Sequence, residues 1–150
     1  MIAEFRGPYR WLSNFEPCRV KLDEPWDYIS TEHAYMSLKS FDPAWKITCR
    51  DAPTPKEIRA LGQEVPLRPD WEAVKIECMN RVLKLKFVQE PFRSRLLATG
   101  SAHLQEGNRY HDKFWGVDLD TGEGANNLGR LIMAIRYGLR SADIDLTKGL

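Results

Sequence analysis

The chain has 150 residues, enough to bury a core without disulfide staples and short enough to form one domain. A formal net charge of +1 gives no global basic field of the kind that marks a nucleic-acid binder, though it leaves room for a local basic rim. Cys18, Cys49 and Cys78 lie far apart without CxxC or histidine spacing, which argues against a zinc site, and no stretch reaches the ~20 apolar residues of a membrane span.

Residues 5–15 read as loop, with Gly7-Pro8 and Ser13-Asn14 as turn dipeptides. Cys18, Val20 and Leu22 alternate with Arg19 and Lys21, the pattern of a half-buried strand. After the turn Asp23-Glu24-Pro25, residues 26–29 return as its hairpin partner. Ser30 or Thr31 caps the next helix. Ala34, Leu38 and Phe41 form its core stripe, while Glu32, Tyr35, Met36 and Lys39 follow i, i+3, i+4, i+7 on another face. Asp42-Pro43 ends or kinks that helix.

Thr54-Pro55-Lys56-Glu57 is a capping box with proline at the first helical position. Ile58 and Leu61 then face inward, and Gly62 closes the helix. Asp70 caps a long helix from Trp71. Its two apolar faces, one through Trp71, Val74, Cys78, Val82 and Leu85, the other through Ile76, Met79, Leu83 and Phe87, predict a central position. Pro91 opens another helix that runs to Gly100. Residues 101–126 are expected to be loops with one short strand. Asn126 or Asn127 caps a last helix striped by Leu128, Leu131, Ile132, Ile135 and Leu139. The predicted fold class is mostly α (α+β), a bundle of five or so helices with a small antiparallel β-hairpin. The domain is expected over residues 1–140, with 141–150 as a loose tail.

Two polar clusters at helix starts carry the chemistry. In the first, Glu32 stands in a first helical turn, where the helix dipole alone favours a carboxylate by ~0.3–1 kcal/mol. The same field keeps the group ionised, able to activate water or stabilise an oxocarbenium-like ribose. Lys39 reads as a solvated helix lysine, a phosphate ligand, or a desolvated amine that forms a Schiff base with an opened ribose. His33 points about 100° away from Glu32 on a helix, so it reads as a capping or core histidine.

In the second cluster, the run Asp112 to Gly116 carries a carboxyl that either forms a turn or orients ribose and protonates a leaving nitrogen. Trp115, like Trp71, either fills core or stacks on a base. Gly122, Gly124, Asn127 and Gly129 resemble an anion cradle running into a helix start, without fitting the P-loop or the dinucleotide fingerprint. Arg6 with Ser13 and Asn14 suits a phosphate, or else an ordinary surface ion pair. No metal and no cofactor is called for.

Taken in order, several short motifs resemble the NADAR family, which includes the YbiA-like N-glycosidases. They are Phe5-Arg6-Gly7-Pro8-Tyr9 with Leu12-Ser13-Asn14-Phe15, Thr31-Glu32-His33-Ala34-Tyr35 with Lys39, and Arg68-Pro69-Asp70-Trp71-Glu72 with Lys86-Phe87. Leu97-Ala98-Thr99-Gly100, Glu106-Gly107-Asn108, Asp112 with Phe114-Trp115-Gly116, and Asn127-Leu128-Gly129 continue the match, which fades after Arg140. The chain departs from the family pattern at Tyr110, where members often carry tryptophan, and at Glu16, where an aromatic is frequent.

The resemblance implies a largely helical hydrolase of the N-glycosidic bonds of ribose, acting on ADP-ribosylated guanine in nucleic acid or on phosphoribosyl pyrimidine intermediates of riboflavin synthesis. It places Glu32, Lys39, Trp71, Asp112 and Trp115 in the active site. ADP-ribosylated nucleic acid is the favoured substrate, with Arg50, Arg59, Arg68, Lys75 and Arg109 as candidates for a basic rim. An ADP-ribosyltransferase toxin is then an implied counterpart. The expected catalytic set is Glu32, Lys39 and Asp112; the expected binding set is Arg6, Ser13, Asn14, Trp71, Trp115, Gly116, Asn127 and Gly129. A non-catalytic module binding ADP-ribose or a nicotinamide dinucleotide is the alternative of a different class. The odd thiol count and an amino terminus without an apolar leader run suggest a cytoplasmic location.

Overall fold

The computed structural model describes residues 1–148, with residues 143–148 as helix backbone alone. The chain packs as two compact units, one of residues 14–86 and one of residues 1–13 with the chain from Phe87 onward.

The middle unit opens with the antiparallel hairpin β1 (Pro17–Lys21) and β2 (Asp27–Ser30), pairing Val20 with Tyr28 and Lys21 with Asp27, with a bulge between Pro17 and Val20. Val20 and Tyr28 are fully buried, so the alternation read from the sequence is the one the strands use. β2 runs straight into α1 (Thr31–Ser37), whose every residue is buried. That helix is shorter than its apolar pattern suggests. It ends at Leu38, and Phe41, expected in the core stripe, is 62% exposed.

The reason is the next element. Asp42 accepts the amide of Ala44 and Pro43 supplies a preset φ at the first position, so a new helix, α2 (Pro43–Asp51), starts where the sequence suggested only a stop. α2 then completes the end of α1. Trp45 Nε1 donates to the Met36 carbonyl at 2.8 Å and Lys46 Nζ to that of Ser37 at 3.1 Å, satisfying carbonyls that a helix end leaves open.

α3 (Pro55–Gly62) starts as expected, with Thr54 Oγ1 accepting from the Glu57 amide. Ile58 is buried, but Leu61 is 43% exposed. Gly62 lies so close to Met36 that a Cβ there would meet Met36 Sδ at 2.2 Å. α4 (Trp71–Phe87) begins at the predicted residue. The Asp70 carboxylate is held by Arg68 Nε and Nη2 at 2.6 and 2.9 Å, and it is the Asp70 carbonyl that accepts from Ala73 and Val74. Trp71, Met79, Val82, Leu83, Lys86 and Phe87 are the buried residues of α4; Ile76, expected on a second core face, is exposed. A single stripe suffices because the helix is buried along one side only.

In the other unit, residues 5–15 are not all loop: Gly7–Leu12 form a short 3-10 helix that starts with Gly7 at φ 56° and then Pro8. α5 (Phe92–Ala98) follows. Two short strands, β3 (Gly107–Asn108) and β4 (Val117–Asp118), pair in parallel where one strand was expected, and Ile2 bridges to Leu104. α6 spans Asn127–Lys148, burying Leu128, Ile132 and Ile135 as its stripe predicts. Of the expected tail at 141–150, residues 141–148 are helical, since no glycine or proline stands between Leu139 and Lys148; residues 149–150 lie outside the described residues. No helix among the described residues is long and apolar enough to cross a membrane.

Candidate active site

The start of α1 concentrates buried polar groups. Ser30 caps the helix by accepting the His33 amide at 3.0 Å. The His33 ring sits between Ser30 Oγ at 2.6 Å and the Ala52 carbonyl at 3.0 Å. A carbonyl only accepts, so Nε2 carries the proton and Nδ1 receives the Ser30 hydroxyl. Burial lowers the pKa of His33 against the smaller upward pull of the Ala52 carbonyl. His33 is therefore the cap-and-core histidine that its place on the helix predicts.

Asn14 fastens the same turn from outside. Its carbonyl accepts the Glu32 amide at 3.2 Å, and its Oδ1 accepts the Thr31 hydroxyl at 2.8 Å. Its Nδ2 lies 3.4 Å from Met79 Sδ. Both polar ends of a side chain expected to bind phosphate are thus engaged within the fold, and Asn14 positions the residue beside it in space, Glu32.

Glu32 is buried, 6% exposed, in the first turn of α1. Lys39 lies beyond the helix end, yet it reaches the same neighbourhood: the Glu32 carboxylate pulls its pKa up. Burial pushes the other way and dominates, with help from Arg59 and Lys75, so Lys39 sits below the usual lysine range. Lys39 Nζ donates to the Gly62 carbonyl at 2.9 Å and stands 6.0 Å from the centre of the Trp71 ring. Trp71 in turn packs on Tyr35 with ring centres 5.3 Å apart. A buried carboxylate, an amine of lowered pKa and an aromatic wall thus meet in one unit. Of the proposed rim, Arg59 and Lys75 act on Lys39 electrostatically, and the Arg68 amide donates to the Lys39 carbonyl at 2.7 Å. Arg50 instead stacks over Trp26, and Arg109 pairs with Asp120 in the other unit.

The residues expected around the second helix start have different employment. Asp112 Oδ1 accepts the amides of Phe114 and Trp115 at 3.0 and 2.9 Å. Asn108 holds Asp112 on both sides, its Oδ1 accepting the Asp112 amide and its Nδ2 donating to the Asp112 carbonyl, each at 2.9 Å. Asp112 is thus the turn former of this loop through one oxygen. Phe114 and Trp115 meet edge to face at 4.8 Å. Gly116 is required by packing, because a Cβ would lie 2.2 Å from the Glu106 carbonyl oxygen.

The anion cradle expected at Asn127 to Gly129 is largely taken up by the protein itself. The Asn127 amide donates to the Phe114 carbonyl at 3.3 Å and that of Leu128 to Trp115 at 3.0 Å. A Cβ on Gly129 would strike the Leu104 carbonyl oxygen at 2.2 Å. The Asn126 side chain binds the preceding loop, Oδ1 accepting the Glu106 amide and Nδ2 donating to the Leu104 carbonyl. These glycines and amides bind the loop to α6. Arg6 is exposed, its carbonyl accepting the Tyr9 amide, and the Ser13 amide donates to the Arg10 carbonyl. Among the described residues, His111, Asp118 and Asp120 bring ligand-type atoms within 4.8 Å of one another, but His111 is bound to Asp118 at 2.7 Å and Arg109 to Asp120 at 2.8 Å.

Sequence reasoning missed Tyr35 as the partner of Trp71, Asn14 as a fastener of α1, and the buried Lys86. Helix spacing already puts Tyr35 on the Glu32 face, but its pairing with Trp71, like the other two, depends on contacts distant in sequence.

Residues 3–140 match the NADAR domain family model. The N-glycosidase YbiA of Escherichia coli (strain K12) is 35% identical over 135 residues, covering 87% of this chain and 82% of that protein. The riboflavin biosynthesis protein VVA0006 of Vibrio vulnificus is 34% identical over 134 residues, which is 87% of this chain but 35% of that protein. The NMR structure of the E. coli protein YbiA superposes with a TM-score of 0.83 at 31% identity, over 95% of this chain and 85% of that one.

Proposed function

The chain belongs to the NADAR domain family, and from that premise we propose that it is an N-glycosidase that hydrolyses the ribose–nitrogen bond of ADP-ribosylated guanine in DNA or RNA. The observation that carries this reading is the buried Glu32 carboxylate in the first turn of α1, which acts on a Lys39 that burial holds below the usual lysine range and that stands 6.0 Å from the centre of the Trp71 ring. A pure binding module has no need to bury a carboxylate next to an amine, because desolvating both is costly.

In the proposed reaction the C1′–N bond breaks, its electron pair leaves with the base nitrogen, and that nitrogen takes up a proton from solvent. Glu32 stabilises the positive charge that develops on the ribose, takes a proton from water as the oxygen adds to C1′, and then returns that proton to solvent. Lys39 has two candidate roles. As a cation it holds an anionic group of the substrate. As a neutral amine it attacks C1′ of the opened sugar, the base amine is expelled from C1′ as the imine forms, and water then hydrolyses the imine to the free sugar aldehyde and the lysine amine. The lowered pKa of Lys39 favours the second role, since it increases the neutral fraction at a given pH.

The preference for a nucleic-acid substrate rests on Arg59 and Lys75, the two cations whose charge acts on Lys39. A transferase that attaches ADP-ribose to guanine is the counterpart this reading implies. A second reading, hydrolysis of a phosphoribosyl aminopyrimidine, is favoured by the likeness to a riboflavin biosynthesis protein. Side-by-side turnover decides between them: release of ADP-ribose from modified DNA, with little action on the pyrimidine compound, is expected. The opposite preference overturns the nucleic-acid reading, and ligand binding without turnover of either compound leaves only the binding module.

A further inference from the structure

Phe41 is the aromatic ring most out of place in the middle unit. It follows the end of α1 by only a few residues and stands 62% exposed in water. Its position is nonetheless defined. The Arg68 guanidinium lies over the ring at 4.2 Å, and that guanidinium is itself fixed by the two oxygens of Asp70. The stack of carboxylate, guanidinium and ring has a planar order that a lysine could not reproduce. It is also joined through the backbone to the segments that carry Lys39 and Trp71. The Arg68 amide donates to the Lys39 carbonyl, Phe41 is two residues after Lys39, and Asp70 immediately precedes Trp71.

A ring held in place with exposed surface, near a lysine on which the charges of Arg59 and Lys75 act, suits a nucleobase better than an apolar partner. Every base has a π-face, and stacking on a fixed aromatic is tolerant of sequence. The Asp70 carboxylate offsets the charge of Arg68, so the phosphate attraction falls to Arg59 and Lys75, which both act on Lys39. Lys75 also pairs with Glu72, a carboxylate whose side chain is 79% exposed and therefore easily exchanged for a phosphate.

We propose that Phe41, backed by Arg68, is a stacking shelf for the base adjacent to the modified guanine in a single strand. This rests on the reading of the chain as an ADP-ribosyl-guanine hydrolase and extends it, because it makes the neighbouring nucleotide part of what the enzyme recognises. A duplex keeps that neighbour stacked within the helix, so single-stranded substrate is the form the shelf engages.

The test compares a single-stranded oligonucleotide carrying one ADP-ribosylated guanine with ADP-ribosylated guanosine, which has no neighbour to stack. In Phe41→Ala the ratio of kcat/KM on the oligonucleotide to kcat/KM on the nucleoside falls about tenfold, and Phe41→Trp restores it. A ratio equal to that of the unaltered protein overturns the shelf while leaving the hydrolase reading intact. So does an equal loss on both compounds, which would assign Phe41 to the fold. If the unaltered protein releases ADP-ribose from neither compound, the hydrolase reading fails and the shelf fails with it.

Discussion

At the start of α1 the helix is capped by Ser30, and Glu32 lies two residues further along. In the loop that leads to α6 the carboxylate itself forms the turn, since Asp112 Oδ1 gathers the amides of Phe114 and Trp115. Both regions carry an acid and an aromatic close together in sequence, the first in a helix turn and the second in a loop. In the first, a neutral hydroxyl performs the structural task and the acid lies next to a lysine whose charge it affects. In the second, the acid and the glycines hold the backbone together. The difference teaches that a polar cluster reads as a site only once its hydrogen-bond duties to its own chain are counted.

The largest expected effect falls on the first region. Glu32→Gln keeps the shape and loses the charge, so kcat drops by about 10²–10⁴-fold with ligand binding retained; turnover at the original rate would remove Glu32 from the chemistry. Lys39 sharpens the same side. If it forms an imine, borohydride during turnover traps an adduct at Lys39 by mass spectrometry, and kcat rises with pH through a pKa below the usual lysine range. If it holds an anion, no adduct forms and activity falls as pH rises through that pKa.

The second region is expected to answer in stability. Gly129→Ala drives a Cβ onto the Leu104 carbonyl oxygen and costs about 1–3 kcal/mol by denaturant unfolding. Asp112→Ala strands two amides and costs about 1–3 kcal/mol, whereas Asp112→Asn keeps the accepting oxygen and most of the stability. A large loss of kcat in Asp112→Asn with unchanged unfolding would break the comparison, because it would give Asp112 a chemical role as well.

The smallest effect is the pH response of His33. Burial holds its folded pKa below the ordinary value, so the unfolded chain takes up a proton where the folded protein does not. Stability is therefore lost as pH falls below about 6.5 and stops falling once the folded value is passed. A urea midpoint that stays flat across that window would show that another group compensates.

Much of this was legible in the amino-acid order. The hairpin, the caps at Ser30 and Thr54, the start of α4 at Trp71 and the α6 stripe follow from local rules acting over a few residues, which is why they survive folding unchanged. The exit of Phe41 to solvent, the exposure of Ile76 and the second helix at Pro43 depend on which neighbour arrives to compete for a face. An Asp-Pro pair signals a helix start as well as a stop, and only the packing of Trp45 and Lys46 onto the end of α1 selects between them.

For the candidate site, helix spacing put Glu32 and Lys39 on one face, and the family resemblance added Trp71. Their convergence was decided by tertiary contacts: Gly62 receiving Lys39, Tyr35 backing Trp71, and Asn14 fixing the first turn of α1. Asp112 is tied into its loop by Phe114, Trp115 and Asn108, and Gly129 packs against the Leu104 carbonyl. Residue type determines what a group can donate, accept or titrate. Which partner it meets, and whether water is excluded there, is a property of the packed chain, because burial and long-range pairing are made by segments far apart in sequence.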